Sequence, residues 1–183
     1  MAAFSFSREG FASVLHALGG RYALWGPKRL KGKGRFFGTD LVTCAPLESF
    51  DSLELGEKSS VSPKDIVFPP DETLFYFTGD RFSEPPLEDE RETIVFLRPC
   101  DINGFRRLDA MFLENGGAAD PYYRRRREKL YFFMIECRES FENCFCVSMG
   151  SNATDNYAAA FRFGEDSVEV EVKDPRFAEF FAS

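Results

Sequence analysis

Thr93-Ile94-Val95-Phe96-Leu97-Arg98-Pro99-Cys100 and Leu130-Tyr131-Phe132-Phe133-Met134-Ile135-Glu136-Cys137 decide how this chain is read. Each begins with a continuous apolar run, the pattern of a strand buried on both faces. Between them Ile102, Phe105, Leu108 and Phe112 recur at helical spacing behind Asp101, which can cap a helix, and Asn115-Gly116-Gly117 ends it. Asp120-Pro121-Tyr122-Tyr123 then opens a second, strongly basic helix. The succession strand, helix, helix, strand over 93–136 predicts two parallel strands joined by a right-handed crossover. Cys100 and Cys137 lie just past the ends of those strands, so both should reach the carboxyl edge of the sheet, where open α/β sheets place their ligands. The expected fold is therefore α/β: a mixed sheet with a parallel β-α-β core and flanking helices, the cysteine motif at the carboxyl edge of the strands.

The segment after the second strand, Glu136-Cys137-Arg138-Glu139-Ser140-Phe141-Glu142-Asn143-Cys144-Phe145-Cys146, brings two more thiols back to that edge. Thiolates are soft ligands that select zinc, copper(I) or iron–sulfur clusters. A set of Cys100, Cys137, Cys144 and Cys146 with no histidine nearby suggests a tetrathiolate centre, and electron transfer if that centre is iron–sulfur. The spacing is not the C-x2-C-x2-C run of ferredoxins. The other reading is four small apolar residues packed at strand ends. An extended Cys144-x-Cys146 spaces its Cα atoms roughly 7 Å apart on one face, which suits a cluster slightly better than one zinc with its four sulfurs at about 2.3 Å. A thiol-redox enzyme fits poorly, because the close pair is C-x-C and no histidine stands near it. Cys44 belongs to no cysteine pattern and reads as a bystander.

Working outward, Ser7 caps a helix whose apolar residues are Phe11, Val14, Leu15 and Leu18, with Gly19-Gly20 as its stop. His16, the single histidine, lies on that helix as a surface or core-edge residue. Tyr22–Trp25 reads as a short strand ended by Gly26-Pro27, 28–40 as a basic loop or hairpin, and Leu41–Cys44 as a strand. Residues 46–61 read as irregular with a turn near Ser49, Ser62–Asp65 as a helical turn, Leu74–Phe77 as a strand and Gly79–Pro86 as a polar loop. Ala158–Phe163 and Val168–Val172 form a hairpin about Gly164-Glu165-Asp166. A last helix carrying Phe177, Phe180 and Phe181 follows Asp174-Pro175, at what is expected to be a domain edge.

The chain has 183 residues, enough for one well-buried core, and 22 of them are phenylalanine, which reads mainly as core. A net charge of −7 argues against nucleic acid as a partner. The basic clusters Lys28–Arg35 and Arg124–Lys129 read as solvated faces, the other reading being a docking surface for an acidic protein. No apolar stretch approaches the roughly 18 residues of a membrane span, and Met1–Ser7 does not have the form of a signal peptide. A cytoplasmic protein with no membrane partner is expected, its five cysteines ligands or free thiols rather than disulfides.

The stretch Glu136–Gly150 closely resembles the A subunit of anaerobic sulfite reductase. Arg98-Pro99-Cys100-Asp101-Ile102-Asn103, Ser62-Pro63-Lys64, Glu72–Phe77 and Ser151–Tyr157 resemble the same family, so the likeness runs over nearly the whole chain. Related sequences occur in the beta subunits of sulfhydrogenases. The resemblance implies an iron–sulfur electron carrier with a 4Fe-4S cluster on Cys100, Cys137, Cys144 and Cys146, the family's N-terminal cysteine motif. Its partners would be a flavin- and nicotinamide-binding B subunit and a sirohaem-bearing C subunit that reduces sulfite to sulfide. No sirohaem pocket is apparent, so no catalytic residue is expected in this chain. Family members continue into a ferredoxin-like region with two CxxCxxC-type clusters. This chain contains no such run, so residues 1–183 read as the N-terminal α/β domain alone. The alternatives are the sulfhydrogenase-type beta subunit, or a docking scaffold whose thiols hold zinc or nothing.

Overall fold

Thr93–Leu97 and Leu130–Ile135 lie side by side and parallel, in register from Thr93 opposite Leu130 to Leu97 opposite Met134. The computed structural model describes residues 2–85 and 91–182. In chain order the main elements are β1 (Ala2–Ser7), α1 (Arg8–Arg21), β2 (Ala23–Leu30), β3 (Leu41–Pro46), β4 (Tyr76–Thr78) and β5 (Arg81–Ser83). Then follow β6 (Thr93–Leu97), α2 (Pro99–Asp109), α3 (Pro121–Arg127), β7 (Leu130–Ile135), β8 (Ala159–Phe163), β9 (Ser167–Val172) and α4 (Ala178–Phe181). Seven strands form one sheet in the order β1-β9-β8-β7-β6-β2-β3. Its centre, β2-β6-β7-β8, is parallel, and antiparallel pairs close both sides. The fold is thus the expected mixed sheet with a parallel core and flanking helices.

Alternation along the strands builds two apolar layers. Ile94, Phe96, Phe133, Ile135, Ala159 and Phe161 pack on one face against Phe11, Leu15 and Leu18 of α1 and Phe181 of α4. Val95, Leu97, Phe132, Met134 and Ala160 pack on the other against Ile102 and Phe105 of α2 and Tyr123 of α3. Many of the phenylalanines lie in these layers, while Phe36, Phe37, Phe75, Phe77, Phe82 and Phe145 are exposed.

Several local expectations give way to packing. β1 was not anticipated; it is an edge strand whose Phe4 and Phe6 join the first layer while the strand pairs with β9. α1 runs through Gly19-Gly20 and closes on a Tyr22 N–H to Leu18 carbonyl bond of 2.8 Å. β2 continues past Gly26-Pro27, because it pairs with β6 only over Ala23–Trp25 and beyond that is laddered to β3 alone. A proline is tolerated where only one side is paired. Gly26 suits the close packing there, since a Cβ would lie 2.9 Å from the Leu47 Cδ1 and 3.0 Å from the Leu53 Cδ1. The strand expected over 74–77 is Tyr76–Thr78, and part of the supposed loop after it is β5; Gly79, at φ +61°, turns the chain between them. Pro86 of that loop lies outside the described residues.

One connection is unusual. Parallel strands are normally joined through a helix. Between β7 and β8 the chain spends residues 136–158 in turns and irregular backbone, with no helix or strand. Loops of this length in a compact domain are commonly functional, and three cysteines lie on this one.

Candidate metal centre

The site is built where β6 passes into α2. Pro99 occupies the first position of that helix, where its fixed φ and missing N–H cost nothing. The cap position therefore falls on Arg98, whose carbonyl accepts from Asp101 N at 3.0 Å and Ile102 N at 3.1 Å. Asp101, expected as the cap, lies in the first helical turn together with Cys100.

Burial, then the charge of Asp101, then the thiols of Cys137 and Cys146 push the Cys100 thiol up to about 11. Cys100 thus lies within electrostatic reach of Cys137, just past β7, and of Cys146, at the far end of the cysteine loop. Cys100, Cys144 and Cys146 are partly buried and Cys137 is exposed. Cys144 is carried on the same loop, where its N–H donates to the Phe141 carbonyl at 3.1 Å, one residue after Asn143 at φ +60°. Asparagine tolerates this left-handed conformation better than most residues. The four thiols do not converge on a point: among the described residues no three His, Cys, Asp or Glu groups are placed to hold a single metal ion.

Two side chains not singled out by the sequence analysis organise the loop. Arg98, only 9% exposed, is the one buried polar or charged residue among those described. Its Nη1 donates to Cys137 Sγ at 3.5 Å and its Nη2 to the Leu55 carbonyl at 3.0 Å. Its guanidinium lies 4.3 Å from the centre of the Phe141 ring. No carboxylate forms an ion pair with it among the described residues. Asp101 acts on it from farther off, and burial raises the Asp101 carboxyl above its usual range against the pull of Arg98 and Lys58. Farther along, Asn103 of α2 donates from Nδ2 to the carbonyls of Ser151, at 3.1 Å, and Ala153, at 2.9 Å. Ser151 N in turn donates to the Cys146 carbonyl at 2.8 Å. Both residues belong to the Arg98–Asn103 stretch that carries Cys100, and that proximity was the available signal.

A buried guanidinium with a sulfur acceptor and no carboxylate in direct contact fits an anionic sulfur centre, because a buried cation is costly unless it is paired. Arg98 beside the Cys137 sulfur and an all-sulfur donor set fit a cluster ligated by cysteines better than a site for one ion.

Cys44 lies on β3, packed beside the second apolar layer. Burial, helped by Asp101, pushes its thiol up to about 12. Replacing Cys44 with Ser should leave iron content unchanged, and in the native protein this thiol should resist alkylation at pH 8. A loss of iron on the scale of Cys144→Ser would contradict its exclusion from the centre. Because its folded pKa lies above the ordinary value of 9.0, its contribution to stability is complete below about pH 9 and is lost as pH rises toward 12.

His16 is exposed, as expected. The basic clusters are less free than the sequence suggested. Lys31, Lys33 and Arg35 face solvent, but Lys28 pairs with Glu48 at 2.5 Å and Arg29 with Glu57 at 2.7 Å and Glu54 at 3.0 Å. In the second cluster Arg126 pairs with Glu72 at 2.6 Å and Arg127 with Asp109 at 3.0 Å. These arginines are neutralised locally rather than solvated. No helix among the described residues is long and apolar enough to cross a membrane.

The chain is similar to the beta subunit of sulfhydrogenase 2 of Pyrococcus furiosus, 30% identical over 130 residues that make up 68% of this chain and 37% of that one. It therefore spans little more than a third of the length of this curated relative. No family model matches the chain, and no solved structure matches it.

Proposed function

We propose that this chain is an electron-transfer domain within a subunit of a multi-subunit, sulfur-metabolising oxidoreductase, and that Cys100, Cys137, Cys144 and Cys146 hold a 4Fe-4S cluster. The observation that carries the reading is the buried guanidinium of Arg98, which donates to the sulfur of Cys137 and forms no ion pair with a carboxylate among the described residues. When bound, the cluster supplies one-electron storage. Arg98 offsets negative charge at the sulfurs, and hydrogen bonds to cluster sulfurs are one determinant of reduction potential. Arg98 and Asn103 hold the loop against α2, so the thiols would be presented on a braced segment. Phe145, between Cys144 and Cys146, and Val147 and Met149, just after them, are exposed. They offer an apolar surface close to the centre.

The test is visible absorption and low-temperature EPR of protein prepared without oxygen. A brown protein bleached by dithionite, with a reduced-state signal, is expected. Colourless protein carrying zinc after iron and sulfide reconstitution sinks the proposal.

Within this class two assemblies are open to test. The resemblance of the cysteine loop favours the A subunit of an anaerobic sulfite reductase, working with flavin/nicotinamide and sirohaem subunits in the cytoplasm. The likeness to a sulfhydrogenase beta subunit favours the second. Isolating the native assembly through a tag on this chain distinguishes them: sirohaem absorption with sulfite reduction marks the first, hydrogen-dependent reduction of sulfur the second.

A further inference from the structure

The β2–β3 hairpin overhangs the edge of the sheet that carries the cysteines. β2 runs parallel to β6, with Trp25 opposite Val95. From there β2 continues through 26–30 to Leu30, whereas β6 continues only through 96–97 to Leu97. The longer strand, laddered to β3 as far as Leu30 opposite Leu41, thus outruns the parallel core by about 10 Å at roughly 3.3 Å per residue. Its tip is Lys31-Gly32-Lys33-Gly34-Arg35-Phe36-Phe37-Gly38-Thr39-Asp40.

Phe36 is exposed and Phe37 is completely so. Lys31, Lys33 and Arg35 are exposed as well, and none forms an ion pair among the described residues. The stem differs, since Lys28 is held by Glu48 and Arg29 by Glu54 and Glu57. Asp40, the one carboxylate of the tip, accepts from Gly32 N at 2.9 Å and lies 3.8 Å from Arg29. Three unneutralised cations therefore stand beside two bare rings. The tip is also braced from within. Gly34 N donates to the Thr39 carbonyl at 2.8 Å, and Thr39 donates to the Phe36 carbonyl from N at 3.1 Å and from Oγ1 at 2.7 Å.

A braced tip has little freedom left to lose on docking, which favours a partner of fixed shape. Phenylalanine is enriched at protein interfaces, where a few buried anchors carry most of the binding energy. A fluid lipid surface gains nothing from fixed geometry, and a chain of net charge −7 is repelled by anionic headgroups.

We propose that this tip is a docking peg for the subunit that exchanges electrons with the cysteine centre. Phe36 and Phe37 enter an apolar slot on that subunit, and Lys31, Lys33 and Arg35 meet carboxylates around the slot. The inference rests on the reading of this chain as part of a multi-subunit oxidoreductase. Peg and cysteine loop rise from the same edge of the sheet, so a subunit seated on the one is brought to the thiols of the other.

The test isolates the native assembly through a tag on this chain, from the parent and from Phe36→Ser/Phe37→Ser. The parent should carry its partner subunits, and the double variant should retain about tenfold less of one of them, with iron per chain and circular dichroism unchanged. Should the double variant fail to fold, Phe37→Ser makes the same comparison at the wholly exposed position. The photo-crosslinker p-benzoylphenylalanine in place of Phe37 should join that same subunit at a surface rich in Asp and Glu. Lys31→Glu with Lys33→Glu should release it at lower salt than the parent does. A parent that purifies alone sinks the multi-subunit reading and the peg with it. A parent that assembles, with folded variants that assemble equally well, overturns the peg and leaves that reading standing. Cross-links confined to a second copy of this chain overturn it too. So does flotation of the parent, but not the double variant, with vesicles of equal parts phosphatidylcholine and phosphatidylglycerol.

Discussion

Cys137→Ala should lose most of its iron and should also be less stable than the parent when both are metal-free. The two effects have separate causes. The first follows from the proposed cluster, of which Cys137 and Cys144 would both be ligands, so each variant should fall from about four irons per chain toward none. The second belongs to Cys137 alone, whose Sγ accepts from the buried Arg98 Nη1 at 3.5 Å. Removing that acceptor leaves a desolvated guanidinium with the Leu55 carbonyl and the Phe141 ring as its contacts. A buried donor left unpaired costs about 1–3 kcal/mol, and more when it is charged. Iron analysis and urea melts of chelated protein check both. Full iron retention in Cys137→Ala would remove it from the ligand set. Equal metal-free stability of the parent, Cys137→Ala and Cys144→Ala would mean that Arg98 does not depend on the sulfur.

Phe161→Ala should be among the most destabilising single changes in the sheet. Phe161 sits on β8, one of the four parallel strands, and is fully buried. Its ring lies 5.1 Å from Phe133, 5.2 Å from Phe96, 5.5 Å from Phe11 and 5.9 Å from Phe181, centre to centre. It therefore joins β6, β7, α1 and α4 in one aromatic cluster. Truncation removes the ring from all of them and leaves a cavity that neighbours from four elements cannot jointly collapse. The expected loss is about 3–5 kcal/mol, a large part of the roughly 5–15 kcal/mol that holds a domain folded. Its side chain points away from the layer carrying α2, so iron binding in the fraction that folds should persist. A loss below about 1 kcal/mol in denaturant melts would show that the cluster repacks freely.

What the sequence made legible is the part governed by local pattern plus one topological rule. Two apolar runs with a helical crossover between them suffice to place Cys100 and Cys137 at one edge, and the electrostatic reach from Cys100 to Cys137 and Cys146 agrees with that placement. Long-range pairing was not legible. The alternating Phe4 and Phe6 of β1 mean little without β9, a partner from the other end of the chain. Gly26-Pro27 looks like a stop until the close approach of Leu47, Leu53 and Phe96 is known. Arg98 was passed over because arginine is rarely buried, and its role rests on a loop that returns from beyond β7.

The pairing of β1 with β9 also sets a clock on synthesis. Ala2 lies opposite Val172 and Ser7 opposite Ser167, so β1 waits for β9 before its ladder can form. At the usual 5–20 residues per second this wait lasts on the order of ten seconds or more. For that time Phe4 and Phe6 have no sheet to cover them. The nascent domain thus carries an unpaired strand with two phenylalanines through most of its synthesis, the kind of segment that chaperones bind and that neighbouring chains on a polysome can capture. The ladder of β1 is completed only once most of the domain has left the ribosome.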